Sequence, residues 1–292
     1  MTPLADSEIR ARARPGAILL VWLLRLLLGG LVALPIARLV ATSPIAESTP
    51  GDALLFDPGG LFLIEFLRTN ADALKGAAQS SVALLVAASV ASLITHALLL
   101  VALAHRERLQ IGPWSGRALE HFPAFVMMGG VVWLVQGVIA VVVGSLGAAL
   151  GKSLGQRLSE RGADLAALSV WVFGALFVLV VGLSHDLGRA AAVRKRLGGL
   201  QGLGDGLRTL GRRPFATLVS WAVPAFWTVA VLAAAAIMVG RLAVEREGAL
   251  RVVAVFVIHQ FAVLALVGLR ATWLARALVL VGPDAAYRAS RQ

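Results

Sequence analysis

The chain has 292 residues, of which 59% are hydrophobic and 15% are charged. An ordinary soluble domain carries roughly 25% charged residues, so this composition predicts a protein whose solvent is mostly lipid. A net charge of +11 would suit nucleic acid, but the basic residues gather beside apolar runs, where membrane orientation explains them and no nucleic acid is expected. The lack of Cys excludes disulfides, thiol catalysis and thiolate metal sites.

Six long apolar runs predict an all-α polytopic membrane helix bundle, one domain of residues 1–292 with both termini in the cytosol. Lipid offers the backbone no hydrogen bonds, so each run must cross as a helix. The predicted spans are residues 17–40, 79–104, 124–150, 165–184, 215–240 and 250–269. Interfacial amphipathic helices are expected on the outer side at residues 58–68 and on the cytosolic side at 114–121, 200–210 and 270–281.

The predicted orientation depends on the basic segments between spans. Short loops rich in Lys and Arg stay in the cytosol. The densest, residues 185–214, includes Arg189, Arg208, Arg212 and Arg213. Cytosolic segments then hold 17 of the 27 basic residues and outer segments hold 8. This bias predicts the inner membrane of a bacterium, with anionic headgroups as partners of the basic loops.

Polar residues in the first two spans allow two interpretations each. The first span exceeds the roughly 7–15 apolar residues of a signal peptide, so we expect it to stay uncleaved. Arg25 inside it either snorkels toward the inner headgroups or belongs to a functional ion pair. In the second span Ser89, Ser92 and His96 share one helical face. This face is expected to pack with its hydroxyls bonded to its own helix; a permeation path is the alternative.

Glycines recur in the third span at a seven-residue spacing, at Gly130, Gly137, Gly144 and Gly151. Small residues on one face predict a seam where another helix comes close. Gln136 beside the seam is expected to bond a neighbouring helix. In the fifth span Pro224 predicts a kink, and the sixth span carries two further polar candidates at membrane depth, His259 and Gln260.

The basic loop after the fourth span is expected to contain a helix break. The helix should continue to Lys195, break at Gly198 and Gly199, and re-form with leucines on one stripe, at Leu200, Leu203, Leu207 and Leu210. Its glycines cost about 1 kcal/mol each relative to Ala. The second helix should therefore need a surface to lie on, either the membrane or a partner.

An R-x-L-x-x-x-P pattern precedes the third span at residues 117–123 and the fifth at 208–214, and RARARP before the first span is a looser version. Each would place a basic turn on the headgroups and Pro at the first helical position, so three related hairpins are a hypothesis. Six spans, this repeat and the D-L-x-R-A run at 186–190 resemble a poorly characterised group of bacterial membrane proteins, similar to the membrane domain fused to some glycerophosphodiester phosphodiesterases. The resemblance implies a fold and no catalytic residue.

Three functions fit these residues. A non-catalytic membrane protein that binds lipid or a partner subunit, through residues such as Arg117, needs only packing seams and basic turns, and we favour it. A permease or transporter subunit is the alternative, supported by polar residues at membrane depth but opposed by the lack of a carboxylate there. An intramembrane serine hydrolase using Ser145 and His259 is the third. No cofactor or metal is expected, because the His residues show no metal-ligand spacing.

Reporter fusions test the predicted topology. One span precedes Ala46 and four precede Gln201, so the two positions should lie on opposite sides of the membrane. An alkaline phosphatase fusion is expected to be active after Ala46 and inactive after Gln201, and a fluorescent-protein fusion should show the reverse. If both positions report the same compartment, the predicted pairing of the spans is wrong.

Overall fold

The computed structural model describes residues 9–42, 67–105, 111–155, 160–242 and 249–282. These ranges are almost entirely helical and contain no β-strand, which confirms the all-α class. Their long helices are α1 (Pro15–Ala41), α2 (Ala71–Ala104), α3 (Ile111–Gly155), α4 (Glu160–Lys195), α5 (Gly199–Arg212), α6 (Pro214–Arg241) and α7 (Ala249–Val281). The outer helix predicted at 58–68 lies almost wholly outside the described residues.

Every one of these helices except α5 is long and apolar enough to cross a membrane, which confirms the predicted six. Their outward side chains remain apolar: Leu134 is 71% exposed, Phe215 83% and Leu250 82%. Between 6% and 39% of the most apolar stretch of each helix is buried inside the protein. Exposed apolar surface on this scale is unfavourable in water, and lipid is the solvent that covers it.

The two predicted surface helices at 114–121 and 270–281 are continuous with their spans, as parts of α3 and α7. Pro123 therefore lies inside α3, whereas Pro15 and Pro214 begin α1 and α6 as expected. The prediction that each of the three prolines stands at the first position of a helix is therefore wrong for Pro123. An interior Pro costs a backbone hydrogen bond, and the packing of α3 on both sides of it keeps the helix unbroken.

That packing lies on one face of α3. Trp114 before the proline and Phe125 after it are almost fully buried, with 1% and 0% exposure. They are eleven residues apart, which is about three helical turns, so both point the same way. Burying two aromatic side chains on one face outweighs one missing hydrogen bond.

Contacts divide the chain, which we predicted as a single domain, into two compact units. Unit 1 comprises Met1–Ile9, Leu103–Val219 and Leu274–Gln292, and so contains α3, α4, α5 and the end of α7. Unit 2 comprises Arg10–Ala102 and Ser220–Trp273, with α1, most of α2 and α6, and the first part of α7. Within unit 1, α3 packs along α4, and α5 packs against both.

In unit 1, α5 lies against α4 through glycines. A Cβ added at Gly202 would stand 2.9 Å from the carbonyl oxygen of Gly188, and one added at Gly206 would stand 2.6 Å from the Gly188 nitrogen. Leu200 and Leu207 on the leucine stripe are 59% and 52% exposed. The surface that supports α5 is therefore α4, and the glycine face meets it while the leucines point outward.

The seven-residue glycine series of α3 makes no comparable contact. No described atom lies within 4 Å of a Cβ added at Gly130, Gly137 or Gly144, and the surroundings of Gly151 lie outside the description. The close approaches of α3 and α4 occur elsewhere: Val143 fills the space at Gly174, and Trp171 lies 3.4 Å from a Cβ added at Gly147. Gly130, Gly137 and Gly144 therefore make no close contact with α4, and the predicted seam stays a prediction.

Substitution G206A tests the contact between α4 and α5. The added methyl group must displace the backbone of α4, so we expect it to lower the free energy of unfolding by about 1–3 kcal/mol. Gly204, on the same helix, has open space where a Cβ would stand. G204A is thus the matched control and should stabilise the protein by up to about 1 kcal/mol through helix propensity. Thermal unfolding in detergent measures both, and a neutral G206A would contradict the contact.

Candidate functional site

The polar side chains of unit 1 collect where α4 ends and α5 begins. Residues 183–193 of α4 are buried without interruption. This run contains His185, Asp186 and Arg189, which are 8%, 5% and 7% exposed. Buried ionisable groups require partners inside the protein. The end of α4 is therefore part of the protein interior.

Arg189 was predicted to bind lipid or a partner, and its burial makes it unavailable to a headgroup. Its guanidinium stands over the ring of Phe125, with 5.6 Å between Cζ and the ring centroid. A desolvated cation over an aromatic face is stabilised by the ring quadrupole. Arg189 thus contributes to the packing of α4 on α3.

A first cavity, the histidine cavity, has a volume of about 770 Å³ and lies in unit 1 beside the connection from α4 to α5. Its polar lining consists of His105, Arg117, Glu120, His121 and Arg196. Nη1 of Arg117 donates to Nε2 of His105 at 3.0 Å. A guanidinium has no acceptor, so Nε2 of His105 must carry the lone pair. Within the described residues, no group of three or more His, Asp or Glu could hold a metal ion.

The connection between α4 and α5 directs neighbouring side chains into different cavities. Arg196 has a φ of 54°, in the left-handed region that residues other than glycine rarely adopt. Its side chain lines the histidine cavity, whereas Lys195 lines a second cavity of unit 1. A conformation of this kind persists only where its surroundings hold it. The turn at Arg196 therefore places Lys195 and Arg196 in the linings of two different cavities.

The second cavity, the arginine cavity, has a volume of about 340 Å³. It is bounded by residues 279–282 at the end of α7 and by the polar side chains of Lys195, Asp205, Arg208, Thr209, Arg212 and Arg213. Nζ of Lys195 pairs with Oδ2 of Asp205 at 2.6 Å. Four cations thus face one carboxylate and a helix C-terminus equivalent to about half a negative charge. The balance is positive, and the cavity is suited to an anion.

The side chain of Arg194 forms a hydrogen bond that connects α4 with the end of α7. Its Nη1 donates to the carbonyl oxygen of Leu278 at 2.8 Å. Leu278 lies in the last turn of α7, where carbonyl groups have no partner within the helix. A cation at a helix C-terminus is also attracted to the partial negative charge of the helix dipole there. The wall formed by residues 279–282 is therefore held in place by a side chain of α4.

The predicted intramembrane polar residues bond largely to their own helices. Oγ of Ser92 donates to the carbonyl of Ser89 at 2.7 Å, and Nδ1 of His96 lies 2.7 Å from the carbonyl oxygen of Ser92. Nδ1 of His259 lies 3.0 Å from the carbonyl oxygen of Val255. Local bonds of this kind satisfy a polar group without a ligand. They favour the packing interpretation over a permeation path.

The other polar residues predicted at membrane depth do not lie together in one site. Gln136 in α3 and Gln260 in α7 are half-buried, and Ser145 and His259 are exposed. Arg25 is half-buried in α1 and lines a cavity of unit 2. None of these side chains lines either cavity of unit 1.

Sequence reasoning named four residues that line the cavities of unit 1, Arg117, Arg208, Arg212 and Arg213, and missed their partners. The missed side chains are His105, Glu120, His121, Lys195, Arg196 and Asp205. Lys195 and Asp205 left a usable signal, since charges of opposite sign flank the predicted break. Glu120 and His121 follow Arg117 at three and four residues and so share its side of α3. Arg196 is brought to them from a distant part of the chain.

Comparison of the chain with protein-family models, with curated proteins and with solved structures finds no match. The resemblance to the membrane domain fused to phosphodiesterases therefore stays a prediction. The residues that line the cavities are therefore the basis for the proposed function.

Substitution R189Q tests the structural role of the buried arginine. Loss of the charge over Phe125 and of its buried bonds is expected to lower the free energy of unfolding by about 1–3 kcal/mol. Arg208 is exposed, so R208Q removes the same charge and should change stability by less than about 0.5 kcal/mol. Thermal unfolding in detergent compares the two variants. Greater loss of stability in R208Q would contradict the assignment.

Proposed function

We propose that this protein is a non-catalytic component of the bacterial inner membrane that binds anionic phospholipid headgroups through the arginine cavity. One observation carries the proposal. Three arginines of residues 208–213 and Lys195 surround a single cavity, while leucines of the same short helix point outward. Positive charge and exposed apolar side chains on one helix are the pattern of an interfacial helix.

The geometry of α5 matches a position at the headgroup level. At about 100° per residue, Leu200 and Leu207 project within about 20° of each other, and Arg208 projects about 100° away. Leucines entering the boundary of the acyl chains would leave the arginines at the level of the phosphates. Two membrane-length helices, α4 and α6, flank α5 in the sequence, so a bilayer around them would have its surface close to α5.

The expected strength of the interaction follows from the charge. Each Lys or Arg near an anionic membrane surface contributes about 1 kcal/mol. Three arginines then contribute about 3 kcal/mol, which corresponds to roughly a hundredfold in affinity. The volume of about 340 Å³ suits a headgroup but not a whole lipid, so the acyl chains would remain in the bilayer.

Other functions have less support. A permease would use polar groups at membrane depth, but Ser92, His96 and His259 already bond to carbonyls of their own helices. The serine hydrolase hypothesis gains no specific observation, and Ser145 lies on an exposed face of α3. A partner subunit with an acidic face is the competing occupant of the arginine cavity, and the experiment below separates it from lipid.

The triple variant R208E/R212E/R213E tests the proposal. Reversing three charges at the cavity should weaken binding of phosphatidylglycerol to this cavity by at least about a hundredfold, seen as the loss of one bound lipid molecule. Native mass spectrometry of the purified protein titrated with this lipid measures the effect. Because no other protein is present, loss of binding cannot come from a lost partner.

The matched control is R38E/R68E/R241E. These three arginines are exposed, are predicted in an outer loop or, for Arg38, near the outer end of its span, and produce the same change in net charge. The control should bind phosphatidylglycerol like the wild type. Unchanged binding in the cavity variant would contradict the proposal, as would an equal loss in both variants.

A further inference from the structure

Unit 2 contains a charged cavity of its own, bounded by α1, α6 and α7, with a volume of about 480 Å³. Its polar and aromatic lining consists of Arg25, Trp221, Thr228, Arg270 and Trp273. The other described lining residues are apolar, and no acidic side chain is among them. We call this the paired-arginine cavity. Two cations from helices distant in sequence thus line one apolar space.

Both arginines lie toward the predicted cytosolic side of the membrane. Arg25 follows the predicted start of the first span at residue 17 by eight residues, which at 1.5 Å per residue is about 12 Å along the helix. Arg270 directly follows the predicted end of the sixth span at residue 269. The cavity that both side chains line is therefore expected in the inner half of the bilayer, where a side chain as long as arginine reaches the phosphates.

Arg25 and Arg270 bring two positive charges to the lining of one cavity of unit 2. The attraction between these charges and an anion is screened much less in surroundings of low polarity than at a surface exposed to salt. Charge-assisted hydrogen bonds from Arg to phosphate oxygens are short and frequently bidentate.

We propose that the paired-arginine cavity binds a phosphate group held jointly by Arg25 and Arg270. A membrane phospholipid is the source that fits the lining, because Trp221, Trp273 and the aliphatic side chains can hold the glycerol and the first acyl methylenes. Free inorganic phosphate shares the chemistry, and the test separates the two. The proposal uses the membrane placement of the proposed function but not the arginine cavity of unit 1.

Variant R25Q tests the proposal with two measurements on delipidated protein in detergent: Tm, and bound ligand by native mass spectrometry. The probes are phosphatidylglycerol, diacylglycerol and inorganic phosphate. Phosphatidylglycerol should raise the Tm of the wild type, and in R25Q one of the two bound lipid molecules should bind at least tenfold more weakly while the molecule at the arginine cavity remains. Without lipid, R25Q should be about as stable as the wild type, because on this proposal Arg25 holds the ligand and not the fold. R25K keeps the charge without the planar fork and should bind with intermediate affinity.

The control is R241Q, which removes an exposed arginine at the far end of α6 and should leave both measurements unchanged. Wild-type affinity in R25Q would overturn the proposal. So would a lower Tm in lipid-free R25Q combined with an unchanged response to lipid, since Arg25 would then be purely structural. Equal stabilisation by inorganic phosphate and by phosphatidylglycerol would overturn the lipid as source.

The two lipid sites are tested separately. R208E/R212E/R213E should keep the lipid-induced rise in Tm that depends on Arg25, and R25Q should keep the binding that depends on the arginine cavity. If one site fails its test, the variant at the other site therefore still gives its own result. If the triple variant abolishes the response attributed to Arg25, the paired-arginine cavity is not an independent site and the inference is wrong.

Discussion

The close approach of the α4 and α5 backbones at Gly188, Gly202 and Gly206 determines the basic end of unit 1. A 14-residue helix with several glycines is marginal in water. Held against α4, it presents Leu200 outward and directs Arg208 and Arg212 toward the cavity closed by the end of α7. The residues that weaken α5 in isolation are the ones that allow its contact. The fold and the proposed anion site thus depend on the same glycines.

Arginines near this contact fall into two groups that the charge pattern of the sequence does not separate. Arg189 and Arg194 use their charge inside the protein, on an aromatic ring and on the end of a helix. Arg208, Arg212 and Arg213 remain exposed around a cavity. The rule that positive loops stay in the cytosol explains why basic residues accumulate in this segment. The same rule does not predict which of these arginines face a cavity, because this depends on the direction in which each side chain projects from its helix.

Local features were predictable from the sequence. Apolar runs of membrane length predicted six helices, the glycines at 198–199 predicted the break between α4 and α5, and prolines predicted the starts of α1 and α6. Contacts between helices were not. The regularly spaced Gly130, Gly137 and Gly144 of α3 have no described atom within 4 Å of an added Cβ, while the packing glycine Gly174 stands outside any pattern. Periodicity reports which residues share a face, but the partner of that face is set by residues far away in the chain.

The chemistry of the donors explains why arginines, and not the serines and histidines, point to a ligand. A hydroxyl or an imidazole reaches the carbonyl three or four residues earlier, and one such bond satisfies it, as at Ser92 and His259. A guanidinium carries five donors on a long side chain, and one carbonyl satisfies only one of them. It also keeps its charge at any depth, because its proton is not released. The guanidinium groups that line a cavity are therefore the side chains best suited to an acceptor with several oxygens and negative charge, which is why the proposed ligand is the phosphate of a phospholipid.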